Sequence, residues 1–179
     1  INFSEHLLKE ELGITWIFPN GLRLDGLDLK TLKLMQKAGC YAVSIGIESG
    51  NDERLKKIKK GVTKEKIKAN IAIAKKAGLD VGGLFIIGFP YETLEEMNDT
   101  INFAAELELD RLAISYFQPF PGSEEYQKLY EAGKYIYDFC KSKYSLQTIS
   151  FIPNSVTVRQ LKRLRLLAFI KFYFCWSSW

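Results

Sequence analysis

The residues able to do chemistry in this sequence gather where apolar runs stop. Tyr41 to Ile47 is nearly all apolar, and Glu48 follows Gly46-Ile47 with no turn residue between them. A carboxylate there can accept charge-assisted hydrogen bonds from a ribose hydroxyl or an α-amino group. It can equally pair with a nearby lysine, or cap the helix that follows Asn51. The run before it, Ile14 to Phe18, closes at Pro19-Asn20-Gly21 and leads to Asn20, Arg23 and Asp25. Arg23 can clamp a ligand carboxylate, although a lone arginine in a polar loop is usually solvated. The run Leu79 to Ile87 ends in Gly88-Phe89-Pro90-Tyr91-Glu92-Thr93. Gly88 either lets a flat ring approach the backbone or serves only a turn. Leu112 to Phe117 ends in Gln118-Pro119. Ser115 and Phe117 share one face of that run, Tyr116 and Gln118 the other, and either face can look inward.

Alternating strands and helices must position these residues. Between the runs lie segments with helical spacing and local start signals: Asp28 before Leu29, Leu32 and Met35; Thr63 before Ile67, Ile71 and Ala74; and Thr93-Leu-Glu-Glu96, a capping box. Strands alternating with helices imply a parallel sheet with right-handed crossovers, whose ligands bind at the carboxyl ends of the strands. The expected fold is α/β, a partial (β/α) TIM-like barrel over residues 1–122, followed by a mostly helical C-terminal extension over 123–179. That extension is expected to hold Tyr-rich helical stretches, a short strand near Thr148 to Ile152 and a last helix from about Thr157. No Gly-rich phosphate fingerprint opens a helix, since Gly82-Gly83 precedes strand residues.

The composition excludes several classes. The chain has 179 residues, 47% hydrophobic and 26% charged, which suits an ordinary globular domain and neither a disordered nor a disulfide-built one. A net charge of +4 is too small to argue for a nucleic-acid partner. Cys40, Cys140 and Cys175 lie far apart with no C-x-x-C pair, which fits reduced thiols in a cytoplasmic protein. Charges interrupt the first apolar residues, and Leu166 to Trp176 is too short for a membrane span. A start at Ile1 raises the expectation of a piece of a longer protein.

Several strings, taken together and in order, resemble the radical S-adenosylmethionine superfamily. Arg23-Leu24-Asp25 with Leu32-x-x-Met35-x-x-Ala38-Gly39-Cys40, then Ser44-Ile-Gly-Ile-Glu-Ser-Gly50, resemble consecutive strands of the distal half of its partial barrel. Gly83-Leu-Phe-Ile-Ile-Gly-Phe-Pro-Tyr-Glu-Thr93 and Phe117-Gln-Pro-Phe-Pro-Gly-Ser123 resemble the next two. The Pro-Phe-Pro-Gly string and Arg165-x-x-x-Phe169-x-x-Phe172-Tyr173 are closest to the branch linked to an upstream cobalamin-binding domain. In this family a 4Fe–4S cluster on a C-x-x-x-C-x-x-C loop reduces S-adenosylmethionine to methionine and a 5′-deoxyadenosyl radical, which abstracts hydrogen from a small-molecule substrate. The resemblance implies that Glu48, with Ser49 beside it, contacts S-adenosylmethionine, that Ile86, Gly88 and Pro90 pack against the adenine, and that Arg23 is a further contact. It also implies cobalamin as a second cofactor.

The cysteine loop is absent from this sequence, and Cys40, Cys140 and Cys175 lie on separate elements, whereas cluster ligands must converge. The missing N-terminal part of the same protein is therefore an expected partner. Glu92 sits one residue later than in the Gly-x-Ile-x-Gly-x-x-Glu form of relatives. Two other readings stay open: a non-catalytic α/β module, and an unrelated barrel enzyme binding phosphate through Gly88 and the following helix end. The lysine run from Lys56 to Lys68 reads as a solvated face offset by Asp52, Glu53 and Glu65. His6, in a surface helix, is given no catalytic role, Cys40 reads as a small buried hydrophobe, and the closing aromatics can pack on the missing part. The chain alone is expected not to cleave S-adenosylmethionine; release of 5′-deoxyadenosine by the iron-reconstituted chain would contradict this.

Overall fold

The structure, a computed structural model, describes residues 2–23, 26–134 and 148–175, with only the backbone of Cys175. Asp25, Cys140, Trp176 and Trp179 lie outside the described residues. In chain order the elements are α1 (Asn2–Lys9), β1 (Trp16–Leu22), α2 (Leu29–Lys37), β2 (Cys40–Glu48), α3 (Asp52–Lys57), α4 (Lys64–Lys76), β3 (Asp80–Ile87), α5 (Leu94–Glu106), β4 (Arg111–Tyr116), α6 (Glu124–Glu131) and α7 (Val158–Cys175). The four strands form one parallel sheet in the order β1-β2-β3-β4. All their carboxyl ends therefore lie on one edge.

Local chemistry starts the helices. Asp28 accepts the Thr31 N–H at 2.7 Å, Asn51 accepts that of Arg54 at 3.0 Å, and Thr93 and Glu96 form a complete capping box. Val43, Ile45 and Ile47 of β2, Val81, Phe85 and Ile87 of β3, and Leu112, Ile114 and Tyr116 of β4 face the helices. They form one core with Leu32 of α2, Ile71 of α4, Met97 and Phe103 of α5, and Leu161, Leu164 and Phe172 of α7. The extension after Gly122 thus shares the core of the sheet. Cys40 is 1% exposed within it, and burial pushes its thiol pKa up. The opposite face of the sheet carries small or flexible residues: Ser44 and Gly46, Gly82 and Leu84, Ala113 and Ser115.

Two expectations are corrected. β1 does not stop at Phe18 but runs through Pro19-Asn20-Gly21 to Leu22. Phe18 pairs with Val43 and Leu22 with Ile45, so the intervening residues bulge, with Gly21 at φ +84°. An edge strand needs hydrogen bonds on one side only, which is why a proline without N–H is tolerated there. Residues 148–152 form no strand. The Gln118 amide donates to the Thr148 carbonyl at 3.0 Å, and Phe151 packs edge-on against Phe117 at 5.9 Å. The alternating apolar residues of that segment serve irregular packing instead of a ladder. Among the described residues no helix is long and apolar enough to cross a membrane.

The turn after β2 is pressed into α5. A Cβ on Gly50 would lie 2.6 Å from Phe103 Cβ, 2.7 Å from Thr100 Cα and 2.8 Å from the Asp99 carbonyl. Two of these are backbone atoms that cannot swing away. Gly50→Ala is therefore expected to destabilise the chain by about 1–3 kcal/mol in urea melts; unchanged stability would show that α5 is not seated as described.

Candidate functional site

At the carboxyl edge of the sheet a cavity of about 850 Å³ opens, with walls that include Arg23, Gly46, Glu48, Lys60, Ile86, Phe89, Pro90 and Ser115. Its floor is the small-residue face of the strands. Glu48 enters it by a backbone irregularity. The pairing of β2 with β3 slips between Gly46 and Glu48, and Glu48 has φ +70°. A non-glycine residue costs about 1 kcal/mol or more in that region. The slip folds the carboxylate back over Gly46, where a Cβ would lie 2.8 Å from Glu48 Oε1 and 3.2 Å from Lys60 Nζ. Lys60 Nζ donates to Glu48 Oε1 at 2.8 Å. Both side chains are about a quarter exposed, so the pair can open toward a ligand without unpacking the core. The lysine partner weighed for Glu48 is thus present, and it lies in the cavity.

The wall formed by Phe89 and Pro90 is fixed from behind. Glu92 is fully buried, and its Oε2 accepts the N–H groups of Gly88 at 2.6 Å and Phe89 at 2.9 Å. Its Oε1 has no hydrogen-bond partner. Burial pushes its pKa up to about 7, against the two N–H groups and the Arg54 charge, which lower it. Arg54, 4% exposed, donates to the carbonyls of Pro90 at 3.2 Å and Tyr91 at 3.1 Å and to Glu96 Oε2 at 2.6 Å. Burial alone would raise the Glu96 carboxyl; the Thr93 N–H and Arg54 outweigh it and hold it below the ordinary range.

Residues 4–104 match the Radical SAM superfamily. The chain belongs to this superfamily. Over 97% of its length it is 33% identical to an uncharacterized methyltransferase of Pyrococcus horikoshii, and over 87% it is 30% identical to the anaerobic magnesium-protoporphyrin IX monomethyl ester cyclase of Rubrivivax gelatinosus. It spans 37% and 28% of those two relatives. Among solved structures it resembles the radical S-adenosylmethionine methyltransferase TsrM of Kitasatospora setae, bound to cobalamin and a 4Fe–4S cluster. That match has a TM-score of 0.64 at 17% identity and covers 88% of this chain and 32% of that one. The sheet with its helices is a part of a TIM-like barrel.

Of the residues singled out in the sequence, Arg23, Glu48, Ile86 and Pro90 meet at this cavity. Ser49 does not reach it. Its side chain is fully buried on the other side of the turn, where its hydroxyl pairs with Thr100 Oγ1 at 3.1 Å and accepts the Asn51 N–H at 3.2 Å. Gly88 does not line it either: a Cβ there would point at Leu161, 3.4 Å away, and its φ of +87° serves the turn. Sequence reasoning gave no role to Lys60 or Arg54, since neither stands out within a run of basic residues. Glu92 lies before α5 and fixes the Gly88 turn through its side chain. Among the described residues no group of His, Cys, Asp and Glu side chains could hold a metal ion, so these residues do not fit an iron–sulfur cluster.

The folded pKa of Glu92 lies above its ordinary 4.5, so the stability it contributes is complete below that pH and is lost as pH rises through about 7. A glutamine can keep the two N–H contacts without ionising. The wild type is therefore expected to lose melting temperature relative to Glu92→Gln between about pH 5 and about pH 8. A difference between the two proteins that stays constant over this range would mean Glu92 does not titrate there.

Proposed function

We propose that this chain is the distal part of a radical S-adenosylmethionine enzyme and supplies part of its cofactor and substrate cavity. The cluster ligands come from sequence outside the chain. The observation that carries this reading is the Glu48–Lys60 pair, held over Gly46 inside a cavity at the carboxyl ends of parallel strands. S-adenosylmethionine brings an ammonium, a carboxylate and ribose hydroxyls to one compact region. Glu48 can accept hydrogen bonds from the ammonium or the hydroxyls, and Lys60 can answer the carboxylate. The wall of Ile86, Phe89 and Pro90 offers apolar surface to the adenine, with Gly88 and Glu92 setting its shape. Arg23 closes the far side toward β1. A cavity of this size leaves room for a small-molecule substrate beside the cofactor.

The bound cofactor, reduced by a cluster held elsewhere, supplies the radical that oxidises substrate. The residues of this chain bind, orient and wall off. A relative that is a methyltransferase, another that is a cyclase, and the cobalamin-bound structural neighbour favour the cobalamin-linked branch, with cobalamin, like the cluster, outside this chain. A phosphate site at Gly88 is disfavoured, because the Gly88 and Phe89 N–H groups already donate to Glu92.

Calorimetric titration with S-adenosylhomocysteine tests the reading. The chain is expected to bind it, and Glu48→Ala to weaken binding by about tenfold, the loss of one or two charge-assisted hydrogen bonds, without lowering the melting temperature. Equal affinity in the two proteins would remove Glu48 from the site.

A further inference from the structure

Across the Pro90–Tyr91 turn from the large cavity lies a second one of about 290 Å³, walled in part by Tyr91, Leu129, Lys134, Phe151, Pro153 and Ser155. Pro90 and Tyr91 border both spaces. Of the smaller one the cofactor reading uses only Pro90 and Glu92, on the side of the shared turn.

Tyr91 is the feature that packing does not explain. Its φ of +60° lies in the left-handed region, where glycine sits freely and a residue with a Cβ is strained. The strain is held by buried contacts: Arg54 donates to the Pro90 and Tyr91 carbonyls, and the next residue, Glu92, is fixed by Gly88 and Phe89. Yet the side chain is 70% exposed and adds little to the core. A strained backbone that presents an exposed aromatic ring beside a cavity points to contact with a ligand. The chemistry around the ring narrows that ligand. Phe151 and Pro153 supply flat apolar surface, and Lys134 Nζ stands 5.8 Å from the Tyr91 centroid. Around the large cavity Lys57, Lys59, Lys60 and Lys128 each have a glutamate partner. Lys134 has no acidic partner among the described residues.

We propose that the small cavity is a substrate subsite that takes a flat ring bearing an acidic group, the ring stacked on Tyr91 and the acid against Lys134. This rests on the reading of the adjoining large cavity as the place of cofactor and reaction. It adds the chemical class of the substrate: a ring system with a carboxylate or similar acid on its edge.

The probe is 2-naphthoate, followed by fluorescence titration of the chain, with neutral 2-naphthalenemethanol as its counterpart and S-adenosylhomocysteine titrated in parallel. Saturable naphthoate binding is expected. Tyr91→Gly is expected to weaken it about fivefold or more while melting no lower than the wild type, and Tyr91→Phe to bind as the wild type does. Lys134→Gln is expected to weaken naphthoate and leave the alcohol unchanged. Lys134→Gln, at a residue that does not line the large cavity, should keep the wild-type affinity for S-adenosylhomocysteine. Absent naphthoate binding, or binding indifferent to Tyr91→Gly, overturns the subsite. Naphthoate binding that follows Tyr91 and Lys134 in a chain that fails to bind S-adenosylhomocysteine supports the subsite and sinks the cofactor reading instead.

Discussion

Arg54 ties α3, the short helix that follows β2, to the turn after β3, and the shape of the cavity follows from that tie. Its guanidinium is almost wholly buried and reaches two backbone carbonyls and a carboxylate. A charge so placed adds little net stability against an apolar substitute, but removing one partner leaves the others stranded in a dry interior. What it secures is geometry. The Ser49–Thr100 and Asn51–Asp99 hydrogen bonds, at 3.1 and 2.8 Å, join the turn after β2 to α5, so strand end, turn and helix are tied together. The two carboxylates of the site can then hold unusual states: Glu48 in a strained conformation, Glu92 buried with one oxygen unpaired.

Those two glutamates divide the work. Glu92 faces away from the cavity and organises backbone, turning N–H groups that could otherwise hold a phosphate toward its own oxygen. Glu48 faces in, beside a lysine, at a point where a glycine strand leaves space. Nearly all the apolar mass lies on the other face of the sheet, under the helices. Gly46 and Ser115 keep the floor low beside Leu84, and Ile86, Phe89, Pro90 and Tyr91 add bulk at the rim.

Much of this was legible in the sequence because its causes are local. The caps at Asp28, Thr63 and Thr93 are signalled within a few residues, and buried parallel strands read as unbroken apolar runs. The family strings brought Glu48, Ile86, Pro90 and Arg23 to one place. What failed depends on distant partners. Pro19-Asn20-Gly21 reads as a turn unless its strand is known to lie at the edge of the sheet. Ser49 alternates away from Glu48, and the partner that holds it there, Thr100, lies 51 residues further along the chain. Arg54 and Lys60 differ from the lysines around them only in what the fold sets opposite them.

On the proposed reading the adenosyl moiety lies between the ends of β2 and β3. The most direct measurement is a crystal structure of the chain with S-adenosylhomocysteine. Its amino-acid end is expected at Glu48 and Lys60 and its adenine along Ile86 to Pro90. Density for the ligand at any other place, with the Glu48–Lys60 pair closed and untouched, would contradict it.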